Sequence, residues 1–236
     1  FKVFGFEFSP LKETNKEEFG EKSVEVAKKG YEKASIFRKI EVPVEKRKKI
    51  FVDGTTSVGL AAIHYGLDFY FAYPMTPATP LLHFLSSIKN KFDIRTFILE
   101  NEIAVVNASI GANFAGAVSM VGTSGGGFDL MTETLSLQGM TEIPLVVYLA
   151  QRYGPSTGMP TYTMQGDINV ALYSGHGEFP RVVVSPGDPK EAFEKTLEAF
   201  YLAYKYNILS IILSDKHLAE SYFTFDEWVK PKIEPN

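Results

Sequence analysis

Residues Asp68–Asn90 read DFYFAYPMTPATPLLHFLSSIKN, an aromatic, apolar run stopped by three prolines in seven residues and followed by a helical pattern. The run has strand chemistry, and the prolines end it because each removes a backbone donor and fixes φ. Pro74 is expected to end the strand, Thr76 to cap a helix and Pro77 to take its first position, where a missing N–H costs nothing. The alternatives at this point are a plain helix start and a scaffold that holds Thr76 against a ligand.

The same strand-then-helix unit recurs on both sides. KIFVDG (49–54) precedes TSVGLAAIHYG (56–66), and RTFILE (95–100) precedes NEIAVVNASIGANFAG (101–116). AVSMVGTS (117–124) leads into FDLMTETLSLQG (128–139), and IPLVVYLAQ (143–151) into an irregular stretch ending in the helical MQGDINVALYS (164–174). PRVVVSP (180–186), DPKEAFEKTLEAFYLAYKY (188–206) and ILSIILSD (208–215) complete the series. These strand runs are apolar throughout rather than alternating, as in a parallel sheet covered by helices on both faces. The fold predicted is α/β and doubly wound, with a mostly parallel sheet of six to seven strands.

Ligands of such sheets bind beyond the carboxyl ends of the strands. Read in order, those ends are Asp53-Gly54, Tyr73-Pro74-Met75-Thr76, Glu100-Asn101-Glu102, Thr123 to Gly127, Gln151 to Gly154, and Ser185-Pro186-Gly187. TSGGGF (123–128) is a glycine-rich strand-to-helix loop whose amides suit an anion, although it is neither Gly-x-Gly-x-x-Gly nor a P-loop. Glu100 reads as a helix-start acid that favours the dipole. For Glu102, capping and a buried, proton-sharing carboxylate stand side by side. Arg152 opens the seventeen-residue polar stretch QRYGPSTGMPTYTMQGD (151–167), too long and turn-rich for a plain connection. Its guanidinium suits a bidentate grip on a carboxylate or phosphate, or a surface ion pair. Ser156 lacks the Gly-x-Ser-x-Gly elbow of a hydrolase nucleophile.

Composition narrows the chemistry. The 236 residues include no cysteine, which excludes disulfides, thiolate nucleophiles and iron–sulfur ligation by this chain. The four histidines (His64, His83, His176 and His217) show no metal-ligand spacing. No apolar run reaches membrane-span length. Residues 1–50 hold 13 of the 24 Lys and Arg and 9 of the 28 Asp and Glu, so the N-terminal part is basic and the remainder acidic. The run Glu45-Lys46-Arg47-Lys48-Lys49 is short, interleaved with acid and set in an expected linker, which argues against nucleic acid. Ahead of it, NKEEFGEKSVEVAKKGYEKA (15–34) is predicted to be one amphipathic helix with Asn15 as N-cap and Glu18 three positions on.

Four motifs in order, YPMTPATP (73–80), ENEIAVVNASIGANFAGA (100–117), TSGGGFDLMTE (123–133) and QRYGPSTGMPTYTMQGDI (151–168), make the stretch Phe51–Leu218 resemble the α subunit of the 2-oxoacid:ferredoxin oxidoreductases, of the 2-oxoglutarate and broad 2-oxoacid type. The resemblance implies a thiamine diphosphate-binding fold that carries the pyrimidine-binding side. It implies oxidative decarboxylation of a 2-oxoacid with coenzyme A, giving acyl-CoA, CO2 and reduced ferredoxin, in a cytoplasmic hetero-oligomer. By motif position Glu102 is the catalytic Glu that hydrogen-bonds the aminopyrimidine. Thr76 and Arg152 become 2-oxoacid contacts. Tyr73, Pro74, Met75, Thr123, Ser124 and Gly125 become cofactor-pocket residues, and His176 matches a His-Gly-Glu the family often carries. Mg2+, the diphosphate site and the iron–sulfur cluster are expected on a partner β subunit. The implied domains are the C-terminal end of a γ-type domain plus linker (1–49), the pyrimidine-binding domain (50–220) and a linker toward a further C-terminal domain (221–236). The chain then reads as the central piece of a longer subunit. Gly126 stands where the family has Pro, and Ala78-Thr79-Pro80 replaces its Ser-Thr or Ser-Ser. The related indolepyruvate type carries Gly at the place of Met75, and a non-catalytic scaffold paralogue is the alternative from another functional class.

Overall fold

A computed structural model describes residues 1–41 and 49–233. The expected charged linker (41–49) therefore lies almost wholly outside the described residues, as do residues 234–236 of the expected C-terminal linker. The chain divides into two compact units, Phe1–Arg47 and Lys48–Asn236.

In the first unit the single helix expected is two: α1 (Phe8–Phe19) and α2 (Glu21–Lys33). Gly20 separates them with φ 78, a left-handed value that only glycine adopts without strain, so the helical spacing carries across a break. Asn15 is inside α1 and donates to the Leu11 carbonyl at 2.9 Å rather than capping anything. Neither helix contains a buried residue.

The second unit runs β1 (Ile50–Asp53), α3 (Gly54–Tyr65), β2 (Phe69–Ala72), α4 (Thr79–Phe92), β3 (Arg95–Ile98), α5 (Glu102–Phe114), β4 (Ser119–Thr123) and α6 (Gly125–Thr141). It continues β5 (Leu145–Gln151), α7 (Ile168–Tyr173), β6 (Arg181–Val184), α8 (Pro189–Tyr206), β7 (Leu209–Asp215), α9 (Lys216–Glu220) and β8 (Tyr222–Phe225). Six strands form one parallel sheet in the order β3-β2-β4-β5-β7-β6. Strands β5 and β7 are buried along their whole length, in register from Leu145 opposite Leu209 to Gln151 opposite Asp215. That is why their sequences do not alternate.

Each face of the sheet has its own core. Residues of α3, α4 and α8, among them Val58, Leu81, Leu85, Leu197 and Phe200, pack with Tyr70 and Tyr148 on one face. Residues of α5, α6 and α7, among them Val105, Ile110, Phe128, Met131 and Ala171, pack on the other. Burying large apolar side chains contributes roughly 1.5–3 kcal/mol each. At the amino edge the polar groups are closed off by Asn113. Its Nδ2 donates to the Pro144 carbonyl at 2.6 Å, and its Oδ1 accepts from Ser119 N at 3.0 Å, Ser119 Oγ at 2.7 Å and Tyr204 OH at 2.9 Å.

Two expectations are corrected. Strand β1 is not in the main sheet: it pairs antiparallel with β8, Ile50 opposite Phe225, in a separate two-stranded ribbon. Residues 222–225 thus form a strand where linker was expected. A four-residue run that enters α3 directly, with Asp53 accepting from Thr56 N at 2.6 Å, carries no sequence mark of its partner. The helix after β2 begins at Thr79 with Ala78 in the N-cap position, so Thr76 caps nothing and Pro77 is not the first helical residue. The reason is Pro80. If Pro77 opened the helix, Pro80 would have to donate the first i→i−4 bond to the Thr76 carbonyl, and it has no N–H. The chain makes a turn first, with Ala78 N donating to Met75 O at 2.8 Å and a cis Thr76–Pro77 peptide.

Candidate active site

The strand order places β4 beside β2, across the position where the chain reverses its winding direction. The loops after β2 and β4 flank the crevice in which ligands of such sheets bind. The Thr76 carbonyl that no helix uses accepts instead from Arg152 Nη1 at 2.7 Å, tying the loop after β2 to the end of β5. Arg152 is only 5% exposed, and its Nη2 has no hydrogen-bond partner among the described residues. Burial pushes its pKa down from the usual value, while the negative charges of Asp167 and Glu102 push it back up. A buried guanidinium with one arm fixed and the other unfilled is suited to a carboxylate.

Glu102 is the first residue of α5, whose N-cap is Asn101, accepting from Ala104 N at 2.9 Å. Capping therefore falls to Asn101. Glu102 is 2% exposed, and its Oε1 has no partner among the described residues. Directly over it runs the first turn of α6. A Cβ on Gly127 would come 2.5 Å from Glu102 Oε1 and closer still to Thr123 Oγ1, so only glycine allows this approach. Ser124 is the N-cap of α6 yet makes no side-chain cap bond, and its buried Oγ is unpartnered among the described residues. The first amides of α6 therefore take no bond from their own N-cap side chain, which suits them to an anionic or polar ligand group.

A cavity of about 310 Å³ opens beside these groups. It is lined by Gly125, Gly126, Asp129, Arg152 and Asp167, with residues of the 153–156 turn. The polar stretch after Arg152 returns to the sheet through two glutamines. Gln151 Oε1 accepts from Asp167 N at 2.9 Å and its Nε2 donates to the Ser214 carbonyl at 3.1 Å, while Gln165 Nε2 donates to Asp215 Oδ2 at 2.6 Å. Asp167 Oδ2 is buried and unpartnered among the described residues, and a Cβ on Gly125 would meet it at 2.8 Å. Burial raises the Asp167 pKa, Asp129 raises it further, and Arg152 opposes both.

Of the residues singled out in the sequence, the structure joins Thr76 to Arg152, Arg152 to Gly125 through the cavity, and Glu102 to Thr123 through Gly127. Tyr73 and Pro74 are exposed, Met75 is half-buried, and none of the three lines the Arg152 cavity. His176 faces a different hollow of about 460 Å³ with Glu133, Glu178 and Phe179, and its backbone N–H donates to Ser136 Oγ at 2.9 Å. Asp167 and Gln151 received no role from the sequence. The available signal was their position at the two ends of one polar stretch, which must return to the sheet before α7 can begin. No helix among the described residues is long and apolar enough to cross a membrane.

Comparison with known proteins gives one consistent answer. Residues 60–230 match the family model described as pyruvate flavodoxin/ferredoxin oxidoreductase, thiamine diphosphate-binding. The 2-oxoglutarate synthase subunit KorA of Archaeoglobus fulgidus is 40% identical over 173 residues, 72% of this chain and 50% of that protein. The 2-oxoglutarate oxidoreductase subunit KorA of Mycobacterium tuberculosis is 47% identical over 148 residues, 63% of this chain and 22% of that protein. A solved 2-oxoglutarate:ferredoxin oxidoreductase from Magnetococcus marinus, with 2-oxoglutarate, coenzyme A and succinyl-CoA bound, superposes with a TM-score of 0.83 at 35% identity, covering 99% of this chain and 43% of that one. The chain spans half the length of the Archaeoglobus relative and less of the other two.

Proposed function

The chain belongs to the pyruvate flavodoxin/ferredoxin oxidoreductase family, in its thiamine diphosphate-binding part, and on that premise we propose that it serves as the α subunit of a 2-oxoacid:ferredoxin oxidoreductase. The reaction is oxidative decarboxylation of a 2-oxoacid, 2-oxoglutarate or a broader range. Carbon dioxide leaves, coenzyme A takes the acyl group and the electrons pass to ferredoxin. A β subunit supplies the diphosphate site, Mg2+ and the iron–sulfur cluster, and a γ domain, fused or separate, completes the assembly in the cytoplasm. Residues 1–49 would be the end of that γ-type domain, 50–220 the pyrimidine-binding domain and 221–236 the lead into a further one. The absence of cysteine from this chain agrees with a cluster carried elsewhere.

The observation that carries the reading is Glu102. A carboxylate oxygen that is buried, unpartnered and covered by a turn of glycines is suited to a ring nitrogen that shares a proton with it. The residues present therefore fit an aminopyrimidine. Thiamine diphosphate, when bound, supplies the nucleophilic carbon and the electron sink that decarboxylation of a 2-oxoacid requires. The chain's own residues do the rest of the work on this side. Glu102 would hold or yield the proton at the ring nitrogen, and Thr123, Ser124, Gly125, Tyr73, Pro74 and Met75 are the further residues that would hold the cofactor. Arg152 Nη2 grips the oxoacid carboxylate, and the Thr76 hydroxyl contacts the keto oxygen or that carboxylate.

The test is Glu102→Gln in the complex reconstituted with its β subunit. The amide keeps size and burial but cannot take a proton. Turnover is expected to fall by at least about 100-fold, with assembly and thermal stability retained. Near-normal turnover with 2-oxoglutarate and with pyruvate would remove Glu102 from the mechanism.

A further inference from the structure

Asp167 has no part in the chemistry above, yet it is built into the Arg152 cavity. Its backbone is fixed by Gln151, its carboxyl lies against the start of α6, and its Oδ2 is buried without a partner among the described residues. Arg152 lines the same cavity, with one Nη1 hydrogen given to the Thr76 carbonyl and Nη2 without a partner among the described residues. A ligand carboxylate offers about four lone-pair sites, and a guanidinium that grips it, even bidentately, fills only two of them. The charges facing Asp167 are Arg152 from the end of β5 and Asp129 from α6, with Glu102 on α5 close enough to act on Arg152. Among the described residues no lysine lines the cavity.

Resting on the oxoacid reading of this cavity, we propose that Asp167 is a substrate-binding residue which, in its protonated form, donates a hydrogen bond to a lone pair of the oxoacid carboxylate that Arg152 leaves unused, so that binding takes up one proton. The electrostatics run in one direction. Before binding, the Arg152 charge is what favours ionised Asp167 against burial and Asp129. An incoming carboxylate neutralises Arg152 and adds a like charge beside Asp167. Both changes favour the neutral acid, and the acid then has an acceptor within its own cavity. The step balances as a proton transfer: an O–H bond breaks in hydronium or an acid bond in the buffer, an O–H bond forms on the Asp167 carboxylate, and that O–H then makes one hydrogen bond to the ligand.

Linkage fixes the signature. Above the pKa of Asp167 in the free complex, affinity for the oxoacid falls about tenfold per pH unit, because each binding event must draw a proton from a scarcer supply. Below that pKa the affinity is level. Asp167→Asn keeps a donor that never ionises, so its affinity should be independent of pH in this range and accompanied by no proton uptake. Asp167→Ala should bind about tenfold more weakly where the wild-type acid is protonated, having no donor.

The experiment uses the complex assembled with its β subunit, with ferredoxin and coenzyme A withheld. Binding of 2-oxoglutarate and of pyruvate is followed by calorimetry across pH, in buffers of different ionisation heat. One proton taken up by wild type and none by Asp167→Asn is the result expected. A wild-type pH slope and proton uptake retained by Asp167→Asn would overturn the proposal while leaving the oxoacid site standing. Unchanged affinity in Arg152→Gln would overturn the cavity as the oxoacid site, and the role of Asp167 with it. Circular dichroism and gel filtration of each variant establish that fold and assembly are intact.

Discussion

The two edges of the parallel sheet are built from similar residue types to opposite ends. At the amino edge, Asn113 uses its amide to close the polar groups of Pro144, Ser119 and Tyr204 around it. At the carboxyl edge, Glu102, Arg152 and Asp167 each hold a buried atom with no partner among the described residues. Leaving a buried charged group unsatisfied costs several kcal/mol, so a chain that tolerates three such atoms at one edge bears that cost for something other than stability. Neutral buried atoms such as Gln138 Oε1 and Ser210 Oγ also lack partners near the amino edge, so the difference lies in charge: the unpartnered charged atoms gather at the carboxyl edge, where a partner can come from outside.

The largest effect that separates the edges is the one already named. Glu102→Gln should abolish turnover and leave the melting temperature alone. Asn113→Ala should do the reverse. It takes the partner from the Tyr204 hydroxyl hydrogen and the Pro144 carbonyl, while Ser119 keeps Tyr204 OH and Ser109, and is expected to cost about 1–3 kcal/mol. For a chain of this size that lowers the melting temperature by several degrees in a thermal scan, with KM for the oxoacid unchanged in whatever folds. A shifted KM would mean that the edges communicate.

Gly127→Ala touches both properties, because its methyl would strike Thr123 and Glu102 together. A loss of about 1–3 kcal/mol in denaturant unfolding, together with weakened thiamine diphosphate binding, is expected. The smallest effect belongs to Ser124→Ala. An N-cap serine normally contributes about 1 kcal/mol. Here the hydroxyl makes no cap bond, so stability should move by no more than about 0.5 kcal/mol. Thiamine diphosphate titration should show the change instead, as a several-fold weaker affinity. A full capping loss in Ser124→Ala would erase the contrast between the edges.

What the sequence made legible follows from the reach of its signals. The unbroken apolar runs of β5 and β7 declared a parallel sheet buried on both faces, and the strand ends pointed to the edge where the buried, unpartnered charged atoms lie. Glu102 was singled out by its place in a motif at a helix start, and the structure buries it there. The separate β1–β8 ribbon was not legible, because the partners stand about 170 residues apart and neither carries a mark of the other. The start of α4 was misjudged because the effect of Pro80 on the turn before it was not weighed. Asp167 looks in the sequence like any loop acid. The burial of its Oδ2 exists only once Gln151 has fastened the loop to β5 and Gln165 has fastened it to Asp215 at the end of β7.

The hold of Arg152 on Thr76 runs through a main-chain carbonyl, and this divides the labour of one residue between two sets of atoms. Any amino acid at position 76 that keeps the same backbone path preserves the anchoring of the guanidinium. The contribution of the Thr76 side chain can therefore be removed without displacing the guanidinium beside it.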